Sequence, residues 1–270
     1  MEALPAVFLG LVQGVTEFLP VSSSGHLALF QQLFGIGEAA LSYDLLLHFA
    51  TMLATLVFFG KDVALLLCQW CRGLLSAESR TAEGWTFGWA VIAGTVLTGA
   101  IGLSLKPLVE RAMTLPWAVG AGLLVTAAVL WYGSSLATDL CGRPVTPARG
   151  LVVGIVQGIA VLPGISRSGS TIVAGMKTGL SAPSAFRFSF LLSLPAIFGA
   201  TLLEMKDLLQ VPDWSSTLPS GWAAGTAAAF FSGLVSLAVL RRVVTRGKWR
   251  PFAAYCAFVG LLALAIFPGR

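Results

Sequence analysis

The residues with the clearest capacity for chemistry lie in two short polar stretches, and the first reads QGVTEFLPVSSSGH at residues 13–26. Gln13 and Glu17 are four residues apart, so they share one helix face. Pro20 ends that helix, and three serines and a glycine then lead to a second helix that we expect to begin near His26. A helix N-terminus with free backbone N–H groups, glycine and serine hydroxyls binds anions, and phosphate in particular.

The second stretch, LPGISRSGST at residues 162–171, has the same design and adds Arg167. A guanidinium group offers a planar fork of donors that matches phosphate oxygens. Two such helix N-termini, converging with one arginine, favour a diphosphate ligand. The residues predicted to bind it are Gln13, Ser22, Ser24, Gly25, Ser166, Ser168, Gly169 and Thr171.

Glu17 needs its own explanation, because a carboxylate repels phosphate. One role is to bind Mg²⁺ or Ca²⁺, which then bridges to the phosphates. A second role is to orient or charge His26. A third role is to neutralise Arg167. These three roles stay open at this point, and Glu17 is the predicted metal ligand.

Ser23 and His26 are three residues apart, so they are neighbours over one helical turn. This spacing suits Ser23 as a nucleophile and His26 as its base. It equally suits His26 as the nucleophile or as a general acid, with Ser23 as a hydrogen-bond donor. Asp44 and His48 share a helix face in the same way, and they are either a metal or substrate contact or a polar pair near a helix end.

The elements that position these residues must lie in a membrane. Of the 270 residues, 56% are hydrophobic and only 11% are charged, whereas a soluble domain carries about 25% charged residues. The net charge of +5 comes from basic residues in loops between apolar segments. No basic patch with interleaved aromatic residues is present, so we expect no nucleic-acid partner.

Six apolar segments approach the length of about 20 residues that crosses a bilayer. They are 43–60, 86–105, 115–137, 184–203, 221–240 and 251–267. Two further regions, 3–35 and 150–180, are interrupted by Pro, Gly and Ser, and their halves are too short to cross. Such breaks are tolerated at membrane depth only where backbone is buried in protein or lines a cavity. The sequence therefore predicts an all-α polytopic membrane protein with six spanning helices and two re-entrant helix–loop–helix hairpins.

The two hairpins belong to an internal repeat within a single membrane domain, residues 1–270. Six residues of the first hairpin recur 144 positions later. They are Gly10, Gln13, Gly14, Ser22, Ser24 and Gly25, which recur as Gly154, Gln157, Gly158, Ser166, Ser168 and Gly169. Repeat 1 covers about 1–137 and repeat 2 about 148–270, each with one hairpin and three spans. Because three is odd, the second repeat is inverted, an arrangement that points to a binding site at the membrane midplane.

The distribution of Lys and Arg predicts the orientation in the membrane. If the loop at 241–250 is cytoplasmic, twelve basic residues lie inside and four lie outside, which agrees with the positive-inside rule. The first hairpin then enters from the outside and the second from the cytoplasm, so their tips can meet. An arginine at that depth costs about 3 kcal/mol on insertion scales, so Arg167 needs Glu17 or a phosphate as partner.

Taken together, QGVTEFLPVSSSGH and LPGISRSGST at this spacing resemble the bacterial undecaprenyl-diphosphate phosphatases of the bacitracin-resistance type, over nearly the whole chain. The resemblance implies hydrolysis of undecaprenyl diphosphate to undecaprenyl phosphate and inorganic phosphate, which recycles the lipid carrier for cell-wall synthesis and gives bacitracin resistance. It also implies a divalent cation and the active-site residues Glu17, Ser23, His26 and Arg167. The family permits Glu or Gln at the start of its first motif, and Gln13 is the weaker metal ligand of the two.

On this basis we expect a multi-pass protein of the bacterial inner (plasma) membrane, with an active site that opens to the periplasmic side. The expected partners are a polyprenyl diphosphate lipid, the bilayer and, optionally, a second copy in a homodimer. The main alternative is a secondary transporter or flippase for an anionic or phospholipid-like substrate, because inverted repeats with broken helices are typical of transporters. His26 beside a serine favours the enzyme, since transport needs no nucleophile and base.

Overall fold

The computed structural model describes residues 3–34, 41–136, 142–210 and 218–267, and side chains are described for these except 31–34 and 41. Within these ranges the chain forms α-helices joined by short loops and one 3₁₀ turn at Glu78–Thr81. The helices are α1 (Ala3–Phe18), α2 (Ser23–Phe34), α3 (Leu41–Phe58), α4 (Gly60–Leu75), α5 (Glu83–Met113), α6 (Pro116–Gly133), α7 (Pro147–Ile159), α8 (Arg167–Lys177), α9 (Ala182–Leu208), α10 (Trp222–Thr245) and α11 (Arg250–Ile266).

The all-α polytopic membrane fold is confirmed. By length and composition α5, α6, α9 and α10 are able to cross a membrane, and α3 with α4 forms a fifth apolar unit. Each predicted span falls on a helix, and the sixth, α11, is apolar but only 17 residues long. The count of six spans stays a prediction. The third predicted span, about 115–137, corresponds to α6, which ends at Gly133.

The predicted segment of about 43–60 corresponds to α3, after which the chain bends by 73° into α4. No helix was predicted for 61–75, because charged residues such as Lys61 and Arg72 interrupt the apolar pattern there. Arg187 of α9 forms ion pairs with Asp62 of α4 and Glu83 of α5, with N–O distances of 2.7 and 2.8 Å. These ion pairs tie α4 to the two helices beside it.

The two predicted hairpins are present as the helix pairs α1–α2 and α7–α8. With 16 residues α1 is about 24 Å long, and with 13 residues α7 is about 20 Å long, at 1.5 Å per residue. Neither reaches the roughly 30 Å of a bilayer core. The loops between the paired helices, at 19–22 and 160–166, carry the two polar motifs.

Glycines let each hairpin lie against a long helix of the other half. A Cβ atom on Gly10 of α1 would lie 2.1 Å from the carbonyl oxygen of Gly225 in α10. A Cβ atom on Gly154 of α7 would lie 2.4 Å from the carbonyl oxygen of Gly94 in α5. Small residues at membrane helix contacts permit this close backbone approach. The matching contacts favour the inverted repeat, whose boundaries stay a prediction.

A buried aromatic cluster supports the end of α1. Phe18 contacts Phe190 of α9 edge to face, with 5.7 Å between ring centroids. Phe190 in turn stacks on Phe59 and meets Phe186. Because Phe18 is 1% exposed, its packing fixes the rotation of the last turn of α1. That rotation directs the neighbouring Glu17 toward the second hairpin.

Candidate active site

Glu17 is the point at which the two hairpins meet. Its Oε2 accepts hydrogen bonds from Gln13 Nε2 at 3.1 Å and from Ser23 Oγ at 2.6 Å. Its Oε1 pairs with Arg167 Nη2 of the second hairpin. The Glu17 side chain is only 7% exposed. Of the three roles that the sequence left open, this geometry shows the neutralisation of Arg167. The contact between Glu17 and Ser23 was not among those roles.

Arg167 is the first residue of α8 and places its guanidinium between the two motifs. Nη2 is paired with Glu17, while Nη1 is buried and has no hydrogen-bond partner within the described ranges. A buried, unpaired charged donor is costly. The unpaired Nη1 is therefore available to an oxyanion that reaches this site.

The two loops have the same hydrogen-bond pattern. Ser22 Oγ accepts from Gly25 N at 3.4 Å, and Ser166 Oγ accepts from Gly169 N at 3.2 Å. Each oxygen also lies near the hydroxyl of the serine two residues later, at 3.4 Å in the first loop and 3.3 Å in the second. Both predicted serines thus cap helix N-termini. The first of these helices begins at Ser23, three residues earlier than the sequence analysis expected.

The loop glycines allow the two tips to touch. A Cβ atom on Gly25 would lie 3.1 Å from the Cα atom of Gly164, and one on Gly169 would lie 3.0 Å from the Cβ atom of Pro20. Each predicted glycine therefore faces the opposite loop. The N-termini of α2 and α8, with their positive dipole ends, are held next to one another by these contacts.

Thr171, predicted to bind substrate, supports α8. Its hydroxyl donates to the Arg167 carbonyl oxygen at 2.7 Å and accepts from Ser189 Oγ of α9 at 2.5 Å. Thr171 is fully buried, and its predicted contact with the substrate stays a prediction. The residue fixes the N-terminal turn of α8 against α9.

His26 does not pair with Ser23, contrary to the interpretation of Ser23 and His26 as nucleophile and base. Its Nδ1 lies 2.8 Å from the Ser22 carbonyl oxygen, and its Nε2 lies 2.7 Å from the Tyr255 hydroxyl. A carbonyl only accepts, so Nδ1 carries a proton, and the neutral ring accepts from Tyr255 at Nε2. Glu17, rather than His26, holds the position of a base beside Ser23.

Two residues outside both motifs also contact the loops. Thr126 of α6 accepts from Ser166 N at 2.8 Å and donates to the Gly164 carbonyl oxygen at 2.7 Å. Tyr255 of α11 contacts His26 from 229 positions away. Neither Thr126 nor Tyr255 was predicted from the sequence, because a threonine or a tyrosine in an apolar helix carries no local signal of function.

His48 lies at the edge of this site. Its Nε2 is 3.9 Å from Glu17 Oε2, and its Nδ1 is 2.9 Å from the Asp44 carbonyl oxygen. His48 therefore contacts the backbone carbonyl oxygen of Asp44, the residue that shares its helix face. His48 is 36% exposed at its side chain, so it faces the space next to Glu17.

The residues around Glu17 include the candidate ligands for the predicted divalent cation. No group of three or more His, Cys, Asp or Glu side chains able to hold a metal occurs in the described part of the chain. Glu17, His48 and the buried Gln13 Oε1, which lacks a hydrogen-bond partner among the described residues, are the donors present. The oxygen atoms of Glu17 and Gln13 suit Mg²⁺ or Ca²⁺ when phosphate oxygens and water supply the other ligands, whereas the His48 nitrogen is not a ligand type that these cations prefer.

Comparison with known proteins identifies the family of this chain. Residues 6–262 match the family described as bacitracin resistance protein BacA. A protein named undecaprenyl-diphosphatase from Desulfosudis oleivorans is 43% identical over 98% of this chain and 99% of its own length. Proteins of the same name from Desulfatibacillum aliphaticivorans and Methanosphaera stadtmanae are 40% and 37% identical, each over 98% of both chains. The resemblance inferred from the two motifs is thus confirmed, and this chain belongs to the BacA family.

Proposed function

We propose that this protein is an enzyme that hydrolyses undecaprenyl diphosphate to undecaprenyl phosphate and inorganic phosphate. Its full-length relatives carry the name of that activity, and family membership connects it with bacitracin resistance. The product is the lipid carrier that cell-wall synthesis reuses. The observation that carries the proposal is the convergence of Ser23, Glu17 and Arg167 between two helix N-termini.

The diphosphate binds where the two loops touch. Arg167 Nη1 has no hydrogen-bond partner among the described residues, and the first turns of α2 and α8 supply backbone N–H groups and positive dipole ends. The hydroxyls of Ser24 and Ser168 lie in these same first helical turns. The isoprenoid tail stays in the apolar phase between helices.

Ser23 is the nucleophile that this geometry favours. Its hydroxyl already donates to Glu17, so its proton moves to Glu17 Oε2 as Oγ attacks the terminal phosphorus. A bond forms between Oγ and phosphorus while the bond from that phosphorus to the bridging oxygen breaks. Undecaprenyl phosphate leaves with the bridging oxygen. Arg167 stabilises the charge on the transferring phosphoryl group.

Water then completes the reaction. It attacks the phosphorus of the phosphoserine, the bond to Ser23 Oγ breaks, and Glu17 returns its proton to Oγ. Both hydrogens of the water remain with the released phosphate. The other mechanism, direct attack by His26, requires Nε2 to give up its hydrogen bond with Tyr255.

Glu17 would hold a divalent cation, with Gln13 Oε1 as a further oxygen ligand. When bound, it neutralises phosphate charge and polarises the phosphorus–oxygen bonds. The side chains of this chain keep their roles as nucleophile, base and phosphate ligand. Chelation with EDTA followed by readdition of Mg²⁺ or Ca²⁺ tests whether the cation is required.

The decisive assay measures phosphate release from undecaprenyl diphosphate by the purified protein in detergent. Ser23→Ala is expected to lower the rate by about 10²-fold or more. The control Ser104→Ala is expected to retain the rate, because Ser104 is an exposed serine whose hydroxyl donates to the Ala100 carbonyl oxygen of its own helix α5. Acid quenching identifies the intermediate, because phosphoserine survives acid and phosphohistidine does not. If wild type binds the lipid and releases no phosphate, the protein is a carrier or flippase.

We place the protein in the bacterial inner membrane, with the site opening to the periplasmic side, on the basis of its basic loops. The exposed Cys68 and Cys71 on α4 then face the cytoplasm. A membrane-impermeant maleimide is expected to label them in inside-out vesicles and to spare them in right-side-out vesicles; the reverse pattern contradicts the orientation. A homodimer and the absence of nucleic-acid partners stay predictions.

A further inference from the structure

Tyr255 of α11 makes a two-part contact with His26. The hydroxyl lies 2.7 Å from His26 Nε2. The two rings are also stacked, with centroids 5.6 Å apart and planes within 6° of parallel. His26 is 4% exposed and Tyr255 is 44% exposed, so the phenol covers the imidazole on its outer side.

A second residue of α11 touches the same loop. The thiol of Cys256, which is fully buried, lies 3.6 Å from the carbonyl oxygen of Pro20. Adjacent residues of one helix therefore contact the loop of the first hairpin near both of its ends. α11 acts as a support for this loop, although it contributes no residue to either motif.

The contact with Tyr255 continues through His26 into the loop. The carbonyl oxygen of Ser22 accepts both the backbone N–H of His26, at 3.2 Å, and the ring Nδ1, at 2.8 Å. Ser22 has a positive φ of 68°, a conformation that non-glycine residues adopt only when their surroundings hold them there. A hydrogen-bonded chain thus runs from Tyr255 through His26 to the residue immediately before Ser23.

We propose that Tyr255 is a positioning residue for the reacting loop, acting through His26. Its hydroxyl fixes the ring in the form with a proton on Nδ1, and that proton holds the Ser22 carbonyl. The held carbonyl keeps Ser23 within hydrogen-bond distance of Glu17. The consequence for turnover rests on the proposed phosphatase activity, while the effect on the His26 ring does not.

The kinetic test compares Tyr255→Phe with Tyr132→Phe. The first substitution keeps the ring and removes the hydroxyl that bonds His26. Tyr132 is a control of similar exposure, 42%, whose ring lies under the ammonium group of Lys177. We expect Tyr255→Phe to lower kcat about fivefold to tenfold with KM unchanged, which is the size of one hydrogen bond, and Tyr132→Phe to match wild type.

The dependence on His26 is tested in a double variant. In a His26→Ala background, adding Tyr255→Phe is expected to change nothing further, because the chain is already broken. If Tyr255→Phe lowers kcat by the same factor in the wild-type and His26→Ala backgrounds, the proposal is overturned. A change confined to KM also overturns it, because such a change would mean that Tyr255 contacts the lipid substrate instead. Wild-type kinetics for Tyr255→Phe would also overturn it.

A spectroscopic test is independent of turnover. The chain contains two histidines, so protein labelled with ¹⁵N-histidine gives imidazole signals from His26 and His48 alone. We expect His26 to carry its proton on Nδ1, and Tyr255→Phe to shift the Nε2 signal of His26 while leaving His48 unchanged. An unshifted Nε2 signal refutes the contact. If Nε2 shifts but wild type releases no phosphate, the proposed function fails and the positioning contact stands.

Discussion

Replacing Glu17 by Gln separates the structural role of its charge from its chemical role. The amide has nearly the same size, so packing beside Phe18 is retained. Arg167, whose side chain is 17% exposed, loses its counter-charge. Removing one partner of a buried ion pair costs about 3–5 kcal/mol of unfolding free energy. Because Arg167 is partly exposed, we expect the unfolding free energy to fall by about 3 kcal/mol, at the lower end of this range.

The chemical consequence of Glu17→Gln is larger. Without a carboxylate the proton of Ser23 has no acceptor at Oε2, and loss of a general base lowers rates by about 10²- to 10⁴-fold. Binding changes in the opposite direction, since the freed guanidinium and the absent negative charge both favour phosphate. We therefore expect kcat to fall strongly while the dissociation constant for undecaprenyl diphosphate decreases.

The assay measures thermal midpoint, phosphate release and lipid binding for Glu17→Gln, Arg167→Gln and the double variant. The double variant is expected to be more stable than either single one, because it leaves no uncompensated charge, and to remain inactive. Ser104→Ala serves as the control. Wild-type turnover in Glu17→Gln would refute its role as base, and an unchanged thermal midpoint would refute the ion pair as the link between the hairpins.

Three further predictions address the packing of α7 against α5, the divalent cation, and the ion pairs between Arg187 and its partners Asp62 and Glu83. Gly154→Ala places a methyl group against the Gly94 carbonyl and is expected to cost about 1–3 kcal/mol of unfolding free energy. A Cβ atom on Gly99 would have no atom of another described element within 4 Å, so Gly99→Ala is expected to be neutral or slightly stabilising. Equal thermal midpoints for the two variants would contradict the Gly154–Gly94 contact. Gln13→Glu adds a carboxylate, so half-maximal activity is expected at a severalfold lower Mg²⁺ concentration, and an unchanged cation titration excludes Gln13 as a ligand. Arg187→Ala removes two partly exposed ion pairs and is expected to lower unfolding free energy by about 1 kcal/mol, less at high salt; a loss of several kcal/mol would show that these pairs are buried in the membrane.

The sequence by itself determined the class of fold and the motifs of the site. Apolar composition and segment length report directly on solvation by lipid, because every residue in the bilayer core meets the same solvent. The breaks at Pro20 and Gly164 are local backbone effects, and both lie in loops between short helices. Helix caps are local as well, so the paired patterns of Ser22 and Ser166 follow from spacing of three residues.

The need of Arg167 for an anionic partner was also visible in the sequence, because a charge at membrane depth is costly without one. Glu17 and a phosphate were the two candidates, and the tertiary structure pairs Nη2 with Glu17 while Nη1 has no hydrogen-bond partner among the described residues. Composition and spacing indicate that Arg167 requires an anionic partner. They do not indicate which of the two candidates lies within reach of its guanidinium group.

Only the tertiary structure decided how the motif side chains pair. Spacing of three residues placed Ser23 beside His26, yet the positive φ of Ser22 turns the loop so that Ser23 meets Glu17 and His26 meets Tyr255. Thr171 likewise faces Ser189 of α9. These pairings depend on side-chain direction and on contacts between helices distant in the chain. Sequence periodicity fixes which residues share a face of one helix, whereas the packing of helices fixes what that face meets.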